Sequence, residues 1–169
     1  DETHFLTRIK EVDRNLLPGP IRANLPQWLF DKLVAQFGEQ EALELAAVLN
    51  TPAPLDLRVN SIKAERDAVI AQLAEAPIVA EPMPFAPLGL RVQKKPALQN
   101  LPLFKEGAIE VQDEGSQVLS QIVGARRGEM VVDFCAGAGG KTLALGALMR
   151  NTGRLYAFDV SEKRLAKLK

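Results

Sequence analysis

The residues with the clearest chemical potential lie in the stretch VVDFCAGAGGKT, residues 131–142. An apolar run ending in Asp133 reads as a buried strand, and the residues after it read as a turn into a helix. Gly137, Gly139 and Gly140 leave the backbone bare of side chains, so a ligand can approach the free N–H groups of a helix N-terminus closely. Lys141 adds a positive charge to the same turn. Asp159 ends the next apolar run, RLYAFD, near the spacing of about 20 residues at which an acid after a glycine-rich turn receives ribose hydroxyls. Asp133 and Asp159 would then bracket one cleft at the carboxyl edge of a parallel sheet. Glycines serving only the geometry of a tight turn are the plain alternative.

Two other cofactor chemistries can be weighed against this sequence. The tripeptide Gly140-Lys141-Thr142 matches the end of a phosphate-binding P-loop, G-x-x-x-x-G-K-[ST], but the register requires glycine at 135 and the chain has Cys135. A nicotinamide-binding G-x-G-x-x-G would start at Gly137 and place Thr142 where Gly or Ala belongs. Cys135 is the only cysteine and His4 the only histidine, so an internal disulfide or a zinc cluster has no ligands to draw on. No metal is expected.

The elements that must hold this turn are legible around it. MVVDF and RLYAFD read as parallel strands joined by a helix through Leu143 to Met149, with a turn at Asn151–Gly153 and a further helix from Ser161. Strand, loop, helix, strand is half of a parallel α/β sheet. Upstream, Ile109 and Val111 alternate with Glu110 and Gln112, and Val118, Leu119, Ile122 and Val123 recur at helical spacing.

The first 52 residues read as helical. Pro26 opens a helix with Trp28, Leu29, Leu33 and Phe37 as its apolar stripe, Gly38 closes it, and Glu39–Leu49 follows. Residues 53–105 read as a small α+β unit. Leu57 and Val59 share one face of a strand, with Asp56, Arg58 and Asn60 on the other, solvated face. Ser61 caps a helix reaching Leu73 through Val69 and Ile70, and short strands follow at Pro77–Ala80 and Leu88–Val92. Residues 106–169 form the third segment.

With 47% hydrophobic and 25% charged residues the chain is globular in composition, and 21 basic against 21 acidic side chains provide no global field for nucleic acid. Any RNA contact has to come from a local patch, for which Arg58, Lys63, Arg66, Arg91, Lys94 and Lys95 are available. No apolar run reaches the ~18 residues of a membrane span, and the start lacks a signal-peptide pattern, so the cytoplasm is the default compartment. A start without Met and a finish in a charged, helical-looking stretch suggest a piece of a longer protein.

Three segments together, LDLRVNSIKA (55–64), IEVQDEGSQV (109–118) and VVDFCAGAGGKT with GRLYAFDVSEKRL (131–142, 153–165), resemble the Sun/Fmu-type, RsmB/RsmF-like RNA 5-cytosine methyltransferases. LPQWLFDKLVAQFG resembles the helical region that precedes them, so the likeness covers residues 24–169. It departs from the family loop, CAAPGGKT, at Gly137 and Ala138. The resemblance implies an α/β chain holding the start of a Rossmann-like class I methyltransferase sheet, after a helical segment and an RNA-recognition-like α+β unit. It implies S-adenosyl-L-methionine as cofactor, its methionine end at Cys135, Ala136, Gly137, Ala138, Gly139, Gly140 and Lys141 and its ribose at Asp159.

By the same resemblance the partner is RNA, rRNA in that family, contacted through Arg58, Asn60 and Lys63 or, equally, with those residues forming a plain solvated face. Lys141 can also reach toward the target base. A membrane partner is not expected, and the full-length protein is expected to be a monomer. Family chemistry uses two cysteines on later strands, so no catalytic residue is expected in this chain, and Cys135 is expected to be a small, partly buried packing residue under the cofactor. A non-catalytic RNA-binding module with a vestigial loop is the alternative from another class.

Overall fold

The computed structural model describes residues 2–94 and 96–168. The chain divides into two compact units, residues 1–53 and 54–169.

The first unit is helical: α1 (Glu2–Glu11), α2 (Gly19–Ala23), α3 (Gln27–Phe37) and α4 (Glu39–Leu49). Its core is Ala23, Phe30, Ala42 and Ala46, with Leu25, Leu33, Val34 and Leu43 half-buried around them. Three alanines let the helices approach closely, and Phe30 fills the space they leave. The Asn50 amide nitrogen closes the unit by donating to the Ala23 and Ala46 carbonyls. The expected stripe on α3 is corrected here: Trp28 is 62% exposed and Phe37 also faces outward, and the buried face runs through Phe30, Leu33 and Val34. Leu29, Leu33 and Phe37 recur at i, i+4, i+8 and Phe30, Leu33 and Val34 at i, i+3, i+4, both helical spacings, and packing chose between them.

The second unit begins with β1 (Leu55–Val59), α5 (Arg66–Glu75), β2 (Ala80–Pro82), β3 (Gly89–Val92), α6 (Pro102–Lys105), β4 (Ile109–Val111) and α7 (Glu114–Val123). The four strands form an antiparallel sheet in the order β2-β3-β1-β4. Leu57, Val59, Leu90, Val92 and Ile109 on one face pack with Val69 and Leu73 of α5. β5 (Met130–Asp133), α8 (Gly140–Leu148), β6 (Arg154–Ala157) and α9 (Glu162–Leu165) follow, with β5 and β6 parallel. Val131 and Leu155 on one face of this pair pack against Leu145 of α8 and Met149 at its C-terminal cap. On the other face Val132, Phe134, Tyr156 and Phe158 are exposed, and the two phenylalanine rings lie 6.3 Å apart. The fold is thus α/β, with an RNA-recognition-like antiparallel sheet leading into a Rossmann-like parallel pair.

Several expectations are revised. The helix expected to start from a Ser61 cap begins at Arg66 with Glu65 at its N-cap, because Asn60 forms a turn in which its side chain accepts from the Ile62 N–H and its carbonyl accepts from the Lys63 and Ala64 N–H groups. The strand placed at Pro77–Ala80 is Ala80–Pro82. A segment boundary at 105/106 cuts ahead of β4, which pairs with β1 through Arg58↔Glu110, so the antiparallel sheet extends to Val111.

The face of β1 expected to be solvated is buried: Asp56 and Arg58 are 6% and 3% exposed. Arg58 and Gln117 and Ser120 of α7 line one small cavity with Ala144 and Ala147 of α8, so these helices cover that face. The inward side of α7 is accordingly polar, Gln117 and Ser120, while Leu119, Ile122 and Val123 face outward. A polar sheet face selects a polar helix face, since a buried polar group without a partner costs about 1–3 kcal/mol.

Candidate functional site

The glycine-rich loop leaves β5 at Asp133 and enters α8 at Gly140. Asp133 Oδ2 accepts a 2.6 Å hydrogen bond from Thr142 Oγ1, so this carboxylate ties the strand end to the first turn of the helix. Backbone bonds from Phe158 N to the Asp133 carbonyl and from Ala136 N to the Phe158 carbonyl fix the loop against the end of β6. Gly137 and Gly139 have φ of 58° and 93°, a region that side chains disfavour, so the turn requires glycine on conformational grounds as well as for access. Nothing lies within 4 Å of the Cβ that Gly137 lacks, which leaves that side open to a ligand. The corresponding space at Gly139 is filled by the Leu168 side chain.

Asp159 lies where the spacing placed it. Its Oδ2 accepts from the Gly137 N–H at 2.8 Å, and its Oδ1 accepts from Ser161 N at 2.8 Å and Arg164 Nη2 at 3.1 Å. The side chain is 4% exposed. The Ser161 N–H foremost, then the Gly137 N–H and the Arg164 charge, hold its carboxyl below the usual carboxylate range against the opposing effect of desolvation. Asp159 therefore organises the loop directly. Ribose hydroxyls would have to share or displace Arg164, whose side chain is largely exposed.

An open cleft of about 400 Å³ lies between β1, β4 and the loop, with Asp56, Gln112, Asp113, Cys135, Gly140 and Lys141 among its lining residues. Cys135 is exposed and lines this cleft. Asp113 caps α7 by accepting from Ser116 N at 2.9 Å. This bond above all, with a contribution from the Lys141 charge, lowers its pKa. Among the described residues no group of three or more His, Cys, Asp or Glu side chains could hold a metal ion, and no helix is long and apolar enough to cross a membrane.

Sequence reasoning missed the group that joins cleft and sheet. Arg58 Nε donates to Gln112 Oε1 at 2.7 Å and its Nη2 to Glu110 Oε2 at 2.6 Å. Gln117 Nε2 donates to the carbonyls of Leu57 and Gln112. The period-two pattern of β4 already put Glu110 and Gln112 on one face, which was the available signal. Arg58 is buried in this network, Lys63 donates to the Glu106 carbonyl, Arg66 to the Pro87 carbonyl, and Arg91 pairs with Asp56 through both carboxylate oxygens. Asn60 donates to the Gly107 carbonyl, Lys94 is exposed, and Lys95 lies outside the described residues.

A parallel strand, glycine loop, helix and strand, with an acid at the end of the second strand gripping the loop, define the opening of a Rossmann-like cofactor domain. Comparison with known proteins narrows the class. The family model described as the ferredoxin-like domain of RsmF/B-like methyltransferases matches residues 25–99, and that of the 16S rRNA methyltransferase RsmB/F matches residues 120–169. A "Probable ribosomal RNA small subunit methyltransferase B" of Synechocystis is 38% identical over 86% of this chain and 33% of its own length. The ribosomal RNA small subunit methyltransferase B of Pseudomonas putida is 35% identical over 97% of this chain and 38% of its own. The crystal structure of a methyltransferase homolog protein from Pyrococcus horikoshii superposes with a TM-score of 0.79 at 30% identity, over 92% of this chain and 51% of that one. The chain belongs to the RsmB/F methyltransferase family, and it spans about a third of the length of the curated relatives it matches.

Proposed function

We infer that the chain carries the cofactor-binding opening of an S-adenosyl-L-methionine-dependent methyltransferase that modifies C5 of a cytosine in RNA, rRNA in particular. The observation that carries this is the grip of Asp159 on the Gly137 N–H at the mouth of α8, within a chain matched by two models of one methyltransferase family. The donor set fits the cofactor: the N–H groups of the α8 N-terminus, which have no acceptor within the helix, Lys141, and an open approach at Gly137. When bound, the cofactor supplies an electrophilic methyl group.

This chain's residues would bind and orient it, with Cys135–Lys141 facing its methionine end and Asp159 its ribose. The catalytic thiols belong to no position here that the resemblance points to. Residues 1–53 would be a helical leader, the sheet through Val111 an RNA-recognition-like unit, and residues from α7 onward the cofactor domain. RNA would meet the antiparallel unit near Asn60 and Lys63, with Arg58 supporting that surface from beneath. Calorimetric titration of the chain with S-adenosylmethionine tests the reading: saturable binding that Asp159→Ala weakens is expected, and no binding, or binding indifferent to Asp159, would refute it.

A further inference from the structure

Gln112 has one side-chain atom that the fold leaves unserved. The residue is 6% exposed, its Oε1 accepts from Arg58 Nε, and its Nε2 is buried without a partner. The orientation of the amide is not free. A flip would set two N–H donors against each other, so the Arg58 donor fixes the oxygen toward itself and the nitrogen toward the opposite side. That side is the first turn of α8, where a Cβ on Gly140 would stand 3.6 Å from Nε2. Arg58 is in turn held by Glu110, its cross-strand neighbour. A chain of three side chains from the antiparallel sheet thus aims a polarised donor at the N-terminus of the helix that follows the cofactor loop.

The same cleft contains Lys141 and the N-terminus of α8, whose first N–H groups have no acceptor within the helix, and all these groups favour an anion or a carboxylate oxygen. Its two carboxylates are already engaged, Asp56 with Arg91 and Asp113 with the Ser116 N–H. They can offer residual negative charge to an ammonium group. Donors on one side and carboxylates on the other match the two charges of an α-amino acid.

We propose that Gln112, oriented by Arg58, donates through Nε2 to the carboxylate of the cofactor's amino-acid end at the α8 N-terminus. The proposal rests on the cofactor reading above and adds to it a binding residue from outside the glycine loop. Gly140 lies over Nε2, so entry of the carboxylate requires the first turn of α8 to move aside.

The test is calorimetry of the whole chain with two probes, S-adenosylmethionine and its decarboxylated analogue, which keeps the amine and lacks the carboxylate. Gln112→Glu retains the oxygen that Arg58 needs and replaces the donor with an acceptor. Gln112→Met removes the donor without adding charge. Both variants should weaken S-adenosylmethionine about tenfold or more, the scale of one charge-assisted hydrogen bond, and Gln112→Met should leave the decarboxylated analogue within about twofold of the wild type. Gln112→Glu should leave the analogue unchanged or tighten it. Equal losses on both probes, or no loss on either, overturn the assignment while leaving the cofactor reading intact. If the wild-type chain binds neither probe, the cofactor reading fails and this proposal fails with it. Should Gln112→Met unfold, Gln112→Glu decides, since it preserves the Arg58 contact.

Discussion

Replacing Arg58 with Met should destabilise the second unit by about 3 kcal/mol. The guanidinium is 3% exposed and makes two short hydrogen bonds, to Gln112 Oε1 and Glu110 Oε2. Hydrogen bonds involving a charged group contribute about 1.5–3 kcal/mol each, which bounds the loss at roughly 3–6 kcal/mol. Glu110 recovers part of its share, because its side chain is 21% exposed and can rehydrate. Gln112 Oε1 cannot, and a stranded buried acceptor costs about 1–3 kcal/mol. Met keeps most of the volume and removes the desolvation cost of the cation, which brings the total to about 2–4 kcal/mol.

Urea denaturation, together with hydrogen exchange at the Gln112 amide that donates to the Asp56 carbonyl, would read this unit directly. The double variant Arg58→Met, Gln112→Met removes both partners of one bond and should cost at least about 1 kcal/mol less than the sum of the two single variants. A loss below about 1 kcal/mol for Arg58→Met, or strict additivity in the double variant, would show that this network does not hold the sheet to the cleft.

On the proposed cofactor reading, Asp159→Ala should weaken S-adenosylmethionine binding about tenfold or more by calorimetry, since the grip on Gly137 is lost together with the proposed contacts to the ribose hydroxyls. Asp113→Ala should cost the fold about 1 kcal/mol in denaturant through the lost cap on α7. The folded-state pKa values of Asp113 and Asp159 are lowered, so the stability they supply is fully present above the unfolded carboxylate value of about 3.9 and is lost as pH falls below it. Acid titration by circular dichroism should show that loss, reduced in Asp113→Ala. In the full-length enzyme Cys135→Ala should keep much of its methylation rate and lose mainly cofactor affinity. Loss of turnover at saturating cofactor, with the fold intact, would make Cys135 a catalytic residue.

Features that depend on local backbone chemistry are legible along the chain. Gly137 and Gly139 adopt positive φ because the turn demands it, Asp159 follows at the spacing of one helix and one strand, and the apolar runs around them became β5, α8 and β6. Alternation was also enough to assign Leu57, Val59 and Ile109 to a core face. Periodicity, however, states only that two faces differ and is silent on what covers the second. Asp56 and Arg58 therefore read as solvated, and tertiary structure buried both, Arg58 beneath α7 and α8 and Asp56 in its pair with Arg91.

The same limit explains the stripe on α3, where residues of similar hydrophobicity lay at equivalent spacings and the packing of alanines around Phe30 selected one. Gln112 was invisible for a further reason. Its role depends on which amide atom faces Arg58, 54 positions earlier in the chain, and on an α8 turn brought alongside it. A hydrogen-bond donor left without an acceptor is a property of three-dimensional enclosure, and no spacing along a chain encodes it.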